Sequence, residues 1–357
     1  MKLIHCADIH LDSSMETHMT TEQASVRNTE IISSFIRLTE YAAENGVRVV
    51  IIAGDLFDGG RIRARTVDEI LDAMCRTPTV DYLYLAGNHD NASYAFSDHD
   101  IPNNLKQFGR EWSTFIYDDV AISGIEICEK NADSFYQNIP HINNCINIIA
   151  LHGQVCTTCD IDHININFLR NKGIDYLALG HIHSYTSFSI EKGGVACYPG
   201  CLEGRGFDEC GEKGFVLLNV NNHKACHEFI PFCCRQLHKI SVDITGLTKN
   251  SEIGEKMRTA AQKIGTNDMV EFVLTGYSDP TANISISYLY NLIKDKFFFC
   301  KVKNESHMLI NPDDYKHDIS LKGEFIRLVL SSNASDEEKS AMIRAGIQAL
   351  AGEEIVL

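Results

Sequence analysis

Five short segments of this sequence carry side chains that can bind metal ions. They are Asp8-Ile9-His10, Gly54-Asp55-Leu56-Phe57-Asp58, Gly87-Asn88-His89-Asp90, His152-Gly153 and Gly180-His181-Ile182-His183. Asp8, His10, Asp55, Asn88, His152, His181 and His183 together mix carboxylate, amide and imidazole donors. Such a mixture suits two borderline ions such as Mn, Fe or Zn better than Mg alone. Asp55 is the natural bridge, because a carboxylate can hold both ions and offset part of their charge. Two ions roughly 3.5–4 Å apart can clamp a phosphate diester and activate water at neutral pH.

Each segment alone has an ordinary reading. Asp-x-His at a strand end is usually a solvated loop, Gly-Asn-His-Asp is built of favoured turn residues, and a lone His152 is more often a satisfied core histidine. What changes the weighing is what precedes each one. Apolar runs at 2–6, 47–52, 82–85, 146–151 and 176–179 break abruptly into these segments. Most of the runs are continuous rather than alternating, as expected of strands buried on both faces. A helical pattern lies at 29–45, with Ile32, Phe35, Ile36 and Leu38 on one face and Gly46 at its end. Strand, helix, strand order predicts an α/β sandwich. Open α/β folds bind ligands at strand ends, so the five endings should gather at one sheet edge. The glycines before Asp55, Asn88 and His181 permit tight turns and close approach.

After Pro231 the pattern changes. Segments 238–244, 252–264, 269–275, 286–296 and 297–302 read as strand, helix, strand, helix, strand. A last helix is expected at 336–351, with Ser335 and Glu338 at capping-box spacing and the serine-rich 331–335 as a joint before it. A boundary near 232–237 follows, giving domains 1–234 and 235–357.

The 357 residues can bury two cores, and the composition is that of an ordinary globular protein. No apolar run approaches the ~20 residues of a membrane-spanning helix, and no export signal is legible at Met1, so a cytoplasmic protein with no membrane association is expected. Thirteen scattered cysteines fit reduced thiols better than a disulfide framework. A net charge of -16 argues against coating nucleic acid through bulk charge, but not against an enzyme whose clustered carboxylates serve metal ions.

In this order the motifs resemble the calcineurin-type metallophosphoesterase superfamily: Asp-x-His, Gly-Asp-x-x-Asp, Gly-Asn-His-Asp/Glu, a lone His, and Gly-His-x-His. The resemblance covers about the first 230 residues. It implies an α/β (α+β) fold, a two-sheet sandwich flanked by helices, with a smaller C-terminal α/β cap domain. It also implies one metal held by Asp8, His10, Asp55 and His183, and a second held by Asp55, Asn88, His152 and His181. Within the superfamily, Ala7 to Asp12, Ile52 to Asp58, and Tyr198-Pro199-Gly200 followed by Lys213-Gly214-Phe215 resemble DNA-repair exonucleases of the SbcD kind. Leu11-Asp12 stands where longer SbcD proteins usually have Leu-Gly, which is closer to a shorter, YhaO-like branch. The implied activity is a Mn-dependent phosphodiesterase on DNA: an exonuclease in repair, with some single-strand endonuclease action. Implied partners are DNA, a coiled-coil ATPase of the SbcC kind and a second copy of the chain. The alternatives are a small-molecule or nucleotide phosphodiesterase or phosphatase using the same site, and a nuclease subunit serving chiefly as partner of that ATPase.

His89 is expected to face substrate rather than metal, protonating the leaving oxygen or stabilising phosphoryl charge. Asp58 resembles the acid paired with this histidine in related phosphatases, where it would favour the protonated, donor form; it reads equally as a turn residue before Gly59-Gly60. Asp90 is expected to cap the following turn. Arg61, Arg63 and Arg65, at two-residue spacing, would share one side of an extended segment and could track a phosphate backbone, or simply balance nearby carboxylates. Arg205, in the Gly204-Arg205-Gly206 turn, is a second phosphate candidate. Cys156 and Cys159 form a lone C-x-x-C, for which a zinc or redox role is disfavoured.

Overall fold

The computed structural model describes residues 1–15, 19–59, 62–90, 96–157, 160, 162–190, 193–278, 282, 284–308, 315 and 317–350. They form two compact units, Met1–Gln236 and Leu237–Leu357. Among the described residues no helix is long and apolar enough to cross a membrane.

In chain order the strands of the first unit are β1 (Lys2–Cys6), β2 (Val49–Ala53), β3 (Asp81–Leu85), β4 (Leu105–Gln107), β5 (Ser113–Tyr117), β6 (Val120–Gly124), β7 (Ile146–His152), β8 (Gln154–Cys156), β9 (His163–Asn165), β10 (Tyr176–Gly180), β11 (Thr186–Ser189), β12 (Val195–Tyr198), β13 (Gly214–Asn221) and β14 (Lys224–Pro231). They build two six-stranded sheets, ordered β14-β13-β1-β2-β3-β4 and β11-β12-β10-β7-β6-β5, while β8 and β9 pair apart. In the first sheet β1 to β4 run parallel; in the second β6, β7, β10 and β12 do.

The continuous apolar runs follow from the layering. Leu3, Val49, Ile51, Leu83 and Leu85 of the first sheet share a core with Ile148, Ala150, Tyr176 and Ala178 of the second. Alternate residues Ile4, Val50, Ile52 and Tyr82 pack with α1 (Thr21–Glu44) and α2 (Ala64–Cys75) through Ile31, Phe35, Leu38, Val67 and Ile70. Ile149, Leu151, Leu177 and Leu179 line a third core on the outer face of the second sheet, which includes Leu169 of the short α3 (Ile166–Leu169). With apolar residues on both faces, the strands show no alternation.

The sequence expectations miss at identifiable places. Helix α1 starts at Thr21, well before position 29, behind a capping box in which Gln23 N donates to Thr20 Oγ1 at 3.2 Å and Thr20 N to Gln23 Oε1 at 3.1 Å. Its first two turns are mostly polar, and the residue buried there is Arg27, so apolar periodicity is silent. Edge strand β14 alternates between exposed and half-buried residues, a weak signal that sequence reading passed over.

The second unit holds a three-stranded parallel sheet of β15 (Leu237–Asp243), β16 (Met269–Thr275) and β18 (Phe299–Asn304), with a small pair formed by β17 (Tyr277–Ser278) and β19 (His307–Met308). Val242, Val270 and Phe272 pack with α4 (Asn250–Ala260) and α5 (Ile286–Ile293) through Ile253, Met257, Leu289 and Ile293. An unanticipated helix, α6 (Leu321–Leu330), starts at the Ser320 cap. Ser335 and Glu338 form the reciprocal cap of α7 (Asp336–Leu350).

Candidate metal centre

The five strand ends converge, but from two sheets rather than one sheet edge. Strands β1, β2 and β3 deliver Asp8, His10, Asp55 and Asn88 from one side; β7 and β10 deliver His152, His181 and His183 from the other. The loops after β1 and β2 stay zipped: Asp8 N donates to Gly54 O at 3.0 Å, His10 N to Asp55 O at 3.0 Å, and Asp58 N to Leu11 O at 3.0 Å. Asp8, His10 and Asp55 take left-handed φ of 51°, 50° and 51°, and His181 takes 102°. Non-glycine residues seldom adopt such backbone, and its concentration here marks stored strain at a functional site.

Glycines serve the packing of the site's own side chains. A Cβ on Gly87 would meet Asp55 Oδ1 at 2.1 Å, and one on Gly54 would meet His152 Nδ1 at 2.0 Å. The absent side chain is the space those donors occupy.

The side chains form two groups around Asp55. In the first, His10 Nε2 faces His183 Nε2 at 3.2 Å and lies 3.8 Å from Asp55 Oδ2. Ligand atoms of Asp8, His10 and His183 all lie within 4.8 Å of one another, close enough to share an ion. His183 Nδ1 donates to Glu209 Oε1 at 2.6 Å, and His10 Nδ1 sits at an ion-pair distance of 3.4 Å from Asp58 Oδ1. Carboxylates beside both Nδ1 atoms favour the proton there and leave two bare Nε2 lone pairs facing each other, an arrangement that a cation relieves. In the second group, His152 Nδ1 donates to Ala53 O at 2.9 Å, which turns Nε2 toward Asn88 Oδ1 at 2.9 Å and Asp55 Oδ2 at 3.3 Å. With a cation in place of the Nε2 proton, three ligand atoms converge here as well. His181 stands edge-on to His152 with ring centroids 5.5 Å apart, and its backbone N–H donates to Asp8 Oδ1 at 2.9 Å. The donor set therefore fits two divalent ions.

The electrostatics show the same demand for positive charge. Burial pushes the Asp8 carboxyl up to about 6, against the pull of His152 and His183. Burial also opposes the charge of Asp55, yet the hydrogen bond and charge of His152 hold it down to about 2. Burial lowers the His152 pKa, but Asp55 and Asp8 outweigh it and raise it to about 9. Asp8, His10, Asp55 and His152 are nearly sealed, whereas Asn88 and His89 are exposed, so the cluster opens on the His89 side.

Asp58 lies between two histidines: its Oδ1 is 3.3 Å from His89 Nδ1 and 3.4 Å from His10 Nδ1. The His10 imidazole beside it keeps its carboxyl well below the usual range, despite partial burial. Arg205 also reaches this rim, with Nη1 3.7 Å from Asp58 Oδ2 and 3.4 Å from Ser13 Oγ, and Nη2 3.3 Å from His183 Nδ1. Glu209, which sequence reading passed over, accepts from His183 and from Arg205 Nη2 at 2.9 Å. It closes the turn that begins at Gly206, with Glu209 N donating to Gly206 O at 2.9 Å, and nothing in that turn's sequence singles it out as a partner of His183.

The arginine expectation is corrected in part. Arg61 lies outside the described residues. Arg63 and Arg65 do not lie on an extended segment: Arg63 is the N-cap of α2 and Arg65 sits in its first turn. Arg63 is bound to Asp12, with Nε donating to Oδ1 at 2.8 Å, and Arg65 Nε donates to Glu69 Oε1 at 2.8 Å. Local carboxylates thus satisfy both. The turn expected after Asp90 lies outside the described residues. Asp90 itself accepts from Gly87 N at 3.0 Å and reaches across to Phe57 N at 2.8 Å, tying the Asn88 turn to the Asp55 loop. Cys156 is half-buried and Cys159 lies outside the described residues.

The family model for calcineurin-like phosphoesterases matches residues 1–185 of the 357. The chain belongs to this family. It is thereby placed among metal-dependent phosphoester hydrolases with a dinuclear centre. This phosphoesterase is 26% identical over 297 residues to the uncharacterized metallophosphoesterase YhaO of Bacillus subtilis, covering 77% of this chain and 72% of that one. It is 25% identical over 295 residues to the DNA double-strand break repair protein Mre11 of Archaeoglobus fulgidus, covering 70% of this chain and 64% of that protein, just under two thirds of its length. Among solved structures, a dimetal phosphatase from Danio rerio matches with a TM-score of 0.40 at 13% identity, over 62% of this chain and 93% of that one.

Proposed function

We propose that this phosphoesterase is a two-metal phosphodiesterase acting on DNA: an exonuclease with some single-strand endonuclease action, preferring Mn to Mg. The observation that carries this reading is the exposed His89 beside Asp58 at the open rim of the donor cluster, 5.1 Å between ring centroids from His10. In this reading Asp8, His10, Asp55 and His183 hold one ion, and Asp55, Asn88, His152 and His181 the other. The bound pair supplies Lewis-acid activation of phosphate and water. The chain's own residues do the rest. Asp58 orients His89 through Nδ1, leaving the other ring nitrogen to hand a proton to the leaving oxygen. Arg205, at the same rim, binds a phosphate oxygen through its planar fork. The DNA assignment is supported by likeness to the Mre11 proteins, whose names give double-strand break repair. The second unit would select the DNA end or dock a coiled-coil ATPase.

Mn-loaded protein should cleave linear or single-stranded DNA and a small chromogenic phosphodiester, with chelator abolishing both and Mg supporting less activity. Cleavage of the small diester with linear, nicked and single-stranded DNA all left intact, with and without an ATPase partner, would overturn the DNA assignment. Full activity at well under two ions per chain would overturn the two-metal one.

A further inference from the structure

The loop between β12 and β13 carries Glu203, Gly204, Arg205 and Glu209, and the peptide joining Gly204 to Arg205 is held on both sides. Its carbonyl oxygen accepts from Arg27 Nη2 at 2.8 Å, and its N–H donates to Glu209 Oε2 at 2.7 Å. Arg27 comes from the polar start of α1 and is completely buried, at 0% exposed. The same Nη2 reaches Glu203 Oε2 at 3.1 Å, while Nη1 pairs with Glu30. Glu203, 2% exposed, is fixed in turn through Oε1, which accepts from Ser34 Oγ and from Cys234 N, each at 2.6 Å.

A buried guanidinium–carboxylate pair is a poor source of stability, since well-packed apolar residues of similar volume often do as well or better. An apolar pair could not, however, hold a carbonyl in one direction. A planar fork of several donors can, and a single ammonium cannot serve as many acceptors in one plane. The orientation of that peptide sets the direction in which the Arg205 side chain leaves the backbone. From there Arg205 reaches Asp58, Ser13 and His183 at the rim of the centre.

We propose that Arg27 and Glu203 are positioning residues for phosphate recognition, acting through the clamped Gly204–Arg205 peptide to aim Arg205 at the substrate phosphate. The proposal rests on the phosphodiesterase reading, though not on DNA being the substrate.

The test is a double-mutant cycle on the full-length, Mn-loaded protein with Arg27→Lys, Arg205→Ala and the pair. It reads kcat/KM on a small chromogenic phosphodiester, inhibition by inorganic phosphate, bound metal and melting temperature. Arg27→Lys should lower kcat/KM by about 10- to 100-fold through misplacement of Arg205, and weaken phosphate inhibition while metal content holds. In the Arg205→Ala background the same change should cost nothing further, because its only route to substrate is gone. Multiplying losses would overturn the proposal, as would an Arg205→Ala variant with unchanged kcat/KM and phosphate inhibition. If Arg27→Lys does not fold, Glu203→Gln replaces it in the same cycle; failure of both to fold marks the pair as structural and also overturns it. Because the cycle uses a small diester, inactivity on DNA defeats the DNA assignment alone, whereas additivity defeats only the positioning claim.

Discussion

One oxygen of Asp58 faces two imidazoles, His10 Nδ1 at 3.4 Å and His89 Nδ1 at 3.3 Å. In the proposed mechanism the first ring binds metal and the second serves the substrate, so Asp58 links the two tasks.

That link separates the effects of two substitutions. His89→Ala should keep both ions and lose rate by about 10²–10⁴. Asp58→Asn should lose rate and also weaken metal binding, because His10 loses the carboxylate beside its Nδ1. Metal titration with turnover measurements on each variant reads the difference. His10, Asp58 and His89 lie close enough together to hold an ion themselves. Metal loss in His89→Ala equal to that in Asp55→Ala would therefore move His89 into the ligand set.

Glu209→Gln tests whether the tautomer of His183 is set from behind. The carboxylate accepts from His183 Nδ1 at 2.6 Å, and the pair holds Glu209 well below the usual carboxylate range against the penalty of burial. The amide keeps the shape but loses the charge, and Mn affinity should fall by about 10- to 100-fold. Isothermal titration with Mn checks this; unchanged affinity would confine Glu209 to holding Arg205.

Gly87→Ala should fail for want of space, since its Cβ would stand 2.1 Å from Asp55 Oδ1 and 2.6 Å from Asp55 N. Displacing Asp55 should cost about 1–3 kcal/mol of stability and reduce bound metal. Gly109, with nothing within 4 Å of its would-be Cβ, is the control, and Gly109→Ala should change neither quantity. Denaturant unfolding and elemental analysis measure both, and a normal metal content in Gly87→Ala would refute the steric account.

His5 should make the first unit acid-sensitive. It is fully buried against Tyr176, with Nδ1 2.9 Å from the hydroxyl, and burial drives its pKa down from 6.5 to about 3. Between those values the unfolded chain binds a proton that the folded one refuses, so stability falls as pH drops below 6.5. Integrated from pH 7 to pH 5, one such histidine contributes about 2 kcal/mol to that loss. His5→Gln, which does not titrate there, should lose correspondingly less over the same interval in parallel denaturant titrations. Identical losses in both proteins would show that His5 does not titrate as its burial requires.

The sequence by itself determined the candidate donors and the strands that carry them. Double-sided burial makes each strand a continuous apolar run, and each run stops where the backbone must turn, which left Asp8, Asp55, Asn88, His152 and His181 legible as endings. The capping box of α7 was readable for the same local reason, its partners being three residues apart. Tertiary structure alone decided which ring nitrogens face each other, because His10 and His183 lie 173 residues apart and arrive from different sheets. It also decided the parts of Glu209, Arg27 and Glu203, whose side chains carry no periodicity and acquire partners only once α1 and the loop before β13 pack together. For Arg63 and Arg65 it replaced an extended track with a helix start, where Asp12 and Glu69 took up the charges. Apolar burial and turns leave periodic or compositional marks along the chain, whereas a polar contact between distant segments depends on their packing and leaves none.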